Sequence, residues 1–252
     1  MSKNTGIRLY VDTSLAIGRE VVFNEEQSRY LGAVMRLSEG DEILLFDGSN
    51  GEFAAEIAAL GKKTASATVC RQTKVFMPAA DVWLLFAPVK KDRTDFIIEK
   101  ATELGAGKII PVITRHTITD KVRTERFRAQ AAEAAEQSRR LEVPEIGNAV
   151  HLEKLLKDWD PSRRLFFMDE SGRGLPAVEA FGGYNGPAAL LIGPEDGFAE
   201  QELNDLRSRS YARAVSLGSL ILRAETAVAA ALSVWQAVSG SWNGGKNEEK
   251  GQ

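Results

Sequence analysis

Between Ala188 and Ala227 the chain reads AALLIGPEDGFAEQELNDLRSRSYARAVSLGSLILRAETA, and no other stretch so limits what it can fold into. Two apolar runs, Ala188 to Ile192 and Ala212 to Leu217, each end in a glycine loop that opens into a helical pattern. Runs this short, apolar on successive residues, are expected as parallel strands buried on both faces. Loops at the carboxyl ends of such strands are where an open α/β sheet places its ligand. Gly193-Pro194-Glu195-Asp196-Gly197 and Ser216-Leu217-Gly218-Ser219 are suited to that task, because glycine has no Cβ and permits positive φ close to a flat ligand. The pair predicts a binding crevice.

The rest of the chain sets the bounds. At 252 residues it suits one large or two small domains. No apolar run reaches the roughly 18 residues of a membrane span. The amino-terminal MSKNTGIRLYVD has no apolar signal region, so a cytoplasmic protein is expected. The single cysteine, Cys70, lies in a strand-like run and is read as packing; an internal disulfide and cysteine-based zinc sites are excluded. A net charge of −3 argues against a uniformly basic nucleic-acid binder, but Lys90 to Arg140 carries 12 Lys and Arg against 8 Asp and Glu, a local +4 that leaves −7 elsewhere. Such a face is compatible with RNA and equally with ordinary solvated helices.

Residues 1 to about 75 look all-β with one helix. Arg8 to Val11 and Glu20 to Phe23 are strand signals, Asn24 can cap a helix through Met35, and Glu42 to Phe46, Glu52 to Leu60 and Thr64 to Arg71 follow between turn dipeptides. This spacing suggests a small barrel. Arg8 and Arg36 stand at element ends, as nucleic-acid contacts or as plain surface arginines. Periodicity drops over Gln72 to Ala80, where a boundary separates a first domain, 1–75, from a second, 80–242, built by strand–helix alternation. There Val82 to Phe86 and Lys108 to Ile113 are strands. Asp92 to Leu104 is a helix with Phe96, Ile97, Ala101 and Leu104 on one face, and Arg126 to Arg140 is a helix striped by Phe127, Ala131, Ala134, Ala135, Ser138 and Leu141. A helix over His151 to Trp159 and a strand over Leu165 to Met168 precede the two central runs. The last helix, from Arg223, has no polar residue between Ala227 and Leu232 and should be covered by core or by a partner subunit.

Lys90, Lys91 and Arg93 cluster where a helix starts, and Arg223 starts the last one; the macrodipole disfavours cations there. Solvated lysines tolerate this, but Arg223 directly follows the second glycine loop, where an anionic ligand would reverse the penalty. Other chemistries fail. Gly105-Ala106-Gly107-Lys108 has neither the glycine nor the Ser or Thr of a phosphate loop, no GxGxxG follows a strand, and His116 and His151 stand far apart, leaving no metal pair and no hydrolase triad with Ser216 or Ser219.

Several segments together resemble a known family over nearly the whole chain: Arg8-Leu9-Tyr10, Val34-Met35-Arg36-Leu37 with Gly40-Asp41, Phe46-Asp47-Gly48, Lys100 to Gly105, Glu136 to Arg140 with Val143-Pro144, Ile192 to Glu195 and Ile221 to Ala227. In that order they resemble the RsmE family of 16S ribosomal RNA uridine-N3 methyltransferases, in the SPOUT superfamily. The resemblance implies a PUA-like β-barrel that binds RNA, followed by an α/β SPOUT methyltransferase domain with a carboxyl-terminal trefoil knot. It further implies a homodimer, S-adenosylmethionine as cofactor, 16S rRNA in the small ribosomal subunit as partner, and no metal. Its cofactor loops fall on Met168-Asp169-Glu170, Gly193 to Gly197 and Leu217 to Leu222, giving Met168, Gly193, Pro194, Glu195, Gly197, Leu217, Gly218 and Leu222 as cofactor contacts. Two departures stand out: Asp196 replaces a usual glycine, and Ser219-Leu220 replaces a usual Pro-Arg, removing one cation from the RNA side. Aspartate tolerates left-handed geometry, so the loop is expected to survive.

Methylation at N3 requires loss of the N3 proton and stabilisation of charge spreading onto the uracil carbonyls. A guanidinium suits the second task. Arg223 is the expected catalytic cation, with Glu225 or Glu195 as proton acceptor; alternatively Glu225 caps the last helix and Glu195 orders its loop. Arg8, Arg36, Lys90, Arg93 and Arg115 are expected RNA contacts, holding a base turned out of its stack. A SPOUT enzyme acting on another RNA position, and a non-catalytic RNA-binding protein, are the alternatives.

Overall fold

In a computed structural model, residues 4–61, 63–118 and 122–243 are described. The chain forms two compact units. One runs to Pro78 and takes in Ala135–Val143; the other holds Ala79–Ala134 and the chain from Pro144 onward.

In the first unit, strands β1 (Asn4–Tyr10) and β2 (Glu20–Val22) precede helix α1 (Glu25–Arg29) and a π-helical turn (Tyr30–Val34), and β3 (Glu42–Phe46), β4 (Glu52–Leu60) and β5 (Ala65–Lys74) follow. The strands pair in the order β1-β3-β4-β5-β2 around one core that includes Leu9, Val21, Phe23, Leu45, Ile57 and Ala67. Among the described residues no ladder joins β2 to β1, so the expected barrel is open along that seam. Asn24 caps α1 as expected: its side chain accepts from the Gln27 N–H at 2.8 Å while Gln27 Oε1 accepts from the Asn24 N–H at 3.4 Å. The helix does not continue regularly to Met35; it loosens into the π turn and ends at Arg36, exposed and left-handed at φ 53°. Cys70 is in its strand but points outward, on the face opposite Val69, so it is not core packing.

Arg8 corrects the reading most sharply. It is no surface contact for RNA: on the face of β1 opposite Ile7 and Leu9 it is buried, with Nε donating to Glu52 Oε2 at 2.6 Å and the guanidinium 3.9 Å above the Phe46 ring. Its remaining N–H groups donate to the carbonyls of Ala135 at 2.8 Å, Glu136 at 3.3 Å and Arg140. Ala135 and Glu136 lie in the last turn of a helix, where a cation is favoured. That is why 135–143, expected within the second domain, groups with the first unit.

The second unit contains β6 (Val82–Phe86), α2 (Lys91–Glu103), β7 (Lys108–Ile113), α3 (Thr124–Ser138, whose last turn belongs to the first unit), β8 (Glu145–Ile146), β9 (Val150–His151), α4 (Leu152–Lys157), β10 (Arg164–Met168), β11 (Leu175–Pro176), α5 (Ala177–Phe181), β12 (Ala188–Ile192), α6 (Glu200–Ser208), β13 (Ala212–Ser216) and α7 (Ala224–Val238). The sheet runs β11-β13-β10-β12-β6-β7-β8, with β9 also on β7, and every pairing is parallel. Central β12 is buried at all five residues, as its apolar run requires. Strand β13 is not: only Val215 is buried, because its outer neighbour β11 is two residues long. On α2 the buried stripe is Thr94, Ile97, Ile98, Ala101 and Thr102, while Phe96 is 41% exposed. The threonines can be buried because their hydroxyls donate to the carbonyls of Val89 and Ile98, at 2.9 and 2.8 Å. Helix α3 stops at Ser138, exposed, and Arg139 turns left-handed at φ 62°. Phe166, Phe181, Tyr184 and Trp235 form an aromatic cluster joining β10, α5 and α7.

Burial alone would push the Glu52 carboxyl up, but hydrogen bonds from Arg8, Lys74 and Thr73, with the charge of Arg8, hold it below the usual value. Its stabilising contribution is therefore present above the unfolded-state pKa of about 4.3 and lost as pH falls through the lower folded value. Arg8→Ala should cost about 3–5 kcal/mol in chemical unfolding near neutral pH, because it removes the buried partner of a buried carboxylate and leaves it only Thr73 and the exposed-side Lys74. The same variant should lose less additional stability than the unaltered protein as the solution is acidified.

Candidate active site

Strands β13, β10 and β12 lie side by side in parallel, so the segments after Ser216, Met168 and Ile192 emerge at one edge of the sheet. Between them lies an open crevice with a cavity volume of about 100 Å³. Met168, Gly193, Pro194, Gly197, Leu217, Gly218 and Leu222 all line it, with Asp169, Glu170, Phe198, Val215 and the start of α7 at Ala224 and Ala227.

The loops have the backbone that close approach needs. Gly197 has φ 68°, and its N–H closes a turn on the Pro194 carbonyl at 2.9 Å; a Cβ there would collide with the Glu170 carboxylate. Gly218 has φ 113°, which side-chain-bearing residues rarely adopt, and its N–H donates to Ser216 Oγ at 3.3 Å. Asp196 keeps a negative φ, so the left-handed position falls on Gly197 and the departure from the family pattern is accommodated without strain. Leu220 and Ile221 are 80% and 83% exposed along the third wall.

The floor is held by charge. The Asp169 carboxylate is fully buried: Arg207 Nη2 donates to Oδ2 at 2.6 Å and the Ser171 N–H donates to Oδ1 at 3.0 Å. Burial opposes the charge, but these bonds outweigh it and hold the carboxyl below the usual range, so it stays ionised. Arg207 lies on α6, 38 residues away, and no local pattern marks it as a partner. Glu202, also on α6, accepts from the N–H groups of Ala199 and Arg115, both at 2.9 Å, and His116 Nδ1 lies 3.1 Å from the Gly197 carbonyl oxygen. Thus α6 and the loop after β7 brace the first glycine loop.

Glu195, Glu225 and Arg223 are not among the lining residues. Glu195 and Glu225 are instead brought together by Arg93, which is ion-paired to Glu195 and has Nε 3.7 Å from Glu225 Oε1. Arg93 is therefore engaged within the protein and not free for a phosphate. Glu225 Oε2 is buried and has no hydrogen-bond partner. Arg223, the N-cap of α7, is exposed, as is Lys90, the N-cap of α2; neither makes an ion pair among the described residues. Arg115 is exposed in this unit, and Arg36 is exposed in the other. No group of three or more metal-ligating side chains occurs among the described residues, and none of their helices is long and apolar enough to cross a membrane.

The parallel sheet with glycine loops crowded at one edge, preceded by a small β unit, belongs to a class of RNA-modifying proteins by its sequence: the family model described as an RNA methyltransferase domain matches residues 77–236, and that of an RNA methyltransferase PUA domain matches 23–70. The chain belongs to the ribosomal RNA small subunit methyltransferase E family. It is 33% identical to the family's protein from Rickettsia conorii, covering 90% of this chain and 93% of that one, and 30% identical to that of Bacillus subtilis, covering 82% and 86%. The crystal structure of a ribosomal RNA small subunit methyltransferase E from Neisseria gonorrhoeae, bound to S-adenosylmethionine, superposes with a TM-score of 0.86 at 28% identity, covering 94% of this chain and 99% of that one.

Arg207→Ala would leave the buried Asp169 carboxylate without its cation. It should lower stability by about 1.5–3 kcal/mol and accelerate amide exchange at 169–171 and 215–218, read by hydrogen-exchange mass spectrometry.

Proposed function

We propose that this chain transfers a methyl group from S-adenosylmethionine to N3 of a specific uridine in 16S rRNA. The observation that carries the reading is the crevice itself, lined by the glycine loops after β10, β12 and β13 in a chain of this family. Its residues fit the cofactor: no atom lies within 4 Å of where a Cβ on Gly218 would stand, so the backbone there admits close approach, and Ile192, Leu217 and Leu222 offer apolar walls to a flat ring. When bound, the cofactor supplies a methyl group on a cationic sulfur.

The protein's own part is to bind, orient and manage charge. Uracil N3 must lose its proton as the new N–C bond forms. Glu225 or Glu195 accepts that proton, the two carboxylates being brought together by Arg93. The unpaired guanidinium of Arg223, at the head of the same helix, stabilises charge developing on the uracil carbonyls. Lys90, Arg115 and Arg36 are exposed cations for the RNA backbone, with the PUA-like unit as an RNA-binding domain.

The resemblance to the SPOUT superfamily extends the proposal to a trefoil knot. Its support is that β13 lies on the side of β10 away from β12, while α7, after the 217–223 segment, packs back on β12 and α2. A homodimer is supported by Ala229 and Ala230, left half-buried in the apolar run of α7.

Isothermal titration with S-adenosylmethionine should show micromolar binding, and Gly218→Val, which forces a branched side chain to φ 113°, should abolish it. An affinity unchanged by Gly218→Val would refute the assignment of the crevice. Arg223→Ala should lower methyl transfer to 16S RNA by about 10²–10³-fold, and Glu225→Gln by about 10²–10⁴-fold, each with cofactor affinity and unfolding midpoint preserved. Nucleoside analysis of 16S RNA from a deletion strain should show loss of 3-methyluridine; its persistence would overturn the reaction assigned.

A further inference from the structure

Beside the crevice lies a second, smaller cavity of about 50 Å³, lined by Pro88, Val89, Lys90, Ile118, Pro194 and Glu195. Pro194 lines both spaces, so the two sites share one wall. The sheet dictates this adjacency. Strands β6 and β12 are parallel neighbours, Phe86 opposite Ile192, and the Ala87 N–H donates to the Ile192 carbonyl at 3.0 Å; the chains leaving them therefore start side by side. The Pro88–Lys90 wall is rigid: Thr94 Oγ1 donates to the Val89 carbonyl at 2.9 Å and accepts from the Val89 N–H at 3.2 Å.

The chemistry of the walls is selective. Two prolines, a valine and an isoleucine present apolar surface suited to the faces of a flat, uncharged ring. Ile118 is 73% exposed, an apolar side chain at the mouth with nothing from the described residues covering it. Lys90 brings an unpaired ammonium to the rim, where a ring carbonyl or an adjoining phosphate would meet it, and Glu195 is held back by Arg93. A cavity about half the size of the neighbouring crevice favours a single ring over a fused pair.

We propose that this cavity receives the acceptor pyrimidine of the RNA, turned out of its stack and held between the Pro88–Lys90 wall and Pro194, with Ile118 closing over its exposed edge. Bases extruded for modification are commonly gripped between apolar side chains in this way. The inference rests on the reading of the chain as an RNA methyltransferase, to which it adds the place of the acceptor and the residues that position it.

The test is Ile118→Glu, an exposed position where folding is not at stake, with Ile118→Leu as its conservative partner. Both are assayed against the unaltered protein for transfer to small ribosomal subunits from a deletion strain, for S-adenosylmethionine affinity by titration, and for unfolding midpoint. Ile118→Glu should lower kcat/KM for the RNA by about 100-fold, the scale expected when a reacting group is misplaced by an ångström, with cofactor affinity and unfolding midpoint unchanged; Ile118→Leu should restore transfer. Full transfer by Ile118→Glu would overturn the pocket. So would an equal loss of cofactor affinity, which would make the cavity an arm of the cofactor crevice. Absence of transfer by the unaltered protein would instead overturn the functional reading, and this inference with it.

Discussion

Parallel pairing of β13, β10, β12 and β6 is the constraint on which the site depends. In an antiparallel sheet successive strands would send their exits to opposite edges; here every exit is at the same one. Four loops that are remote in sequence thus share one small volume, and the spaces between them are a consequence of strand order. Central strands with helices on both faces must be apolar throughout, as β12 is, so the loops provide the polar and flexible elements that β12 cannot.

Within that frame the distribution of charge separates structural from available cations. Arg8 and Arg207 are consumed by buried carboxylates, and Arg93 bridges Glu195 to Glu225. Each ties segments far apart in sequence. Arg223, Lys90, Arg115 and Arg36 make no ion pair among the described residues and are exposed. A protein of net charge −3 therefore keeps free cations at helix N-termini and loop ends, where the local backbone would sooner have had an anion.

The sequence was most legible where one local rule decides the outcome. The run AALLI is buried on every residue because its apolar pattern demands it, and Asn24 caps its helix through a side chain three residues from its target. The glycine loops were legible for the same reason, and Gly193, Pro194, Gly197, Leu217, Gly218 and Ser219 line the crevice, whereas Met168 and Leu222 were named through family likeness. Errors arose where tertiary context intervened. Phe96, expected on the buried face of α2, is exposed while Thr102 is buried, because a buried hydroxyl can bond to its own helix, which apolar periodicity does not register. Strand β13 looked central but lies beside a two-residue neighbour. Arg8 gave no local sign of its role, since Glu52 and the carbonyls it serves lie 44 to 132 residues away. The order of domains was read from the drop in periodicity over Gln72 to Ala80, whereas the expectation of a knot came from family likeness, which periodicity alone could not supply.

The return of 135–143 to the first unit has a consequence for inheritance. A gene segment ending at Pro78 encodes all five strands of that unit yet omits the carbonyls of Ala135, Glu136 and Arg140, and with them the acceptors for most of the guanidinium of Arg8. Such a fragment would carry a buried cation with a single carboxylate to satisfy it. The two units are therefore not separable modules that recombination could exchange at the apparent linker; they are written into each other's sequence and must be transmitted together.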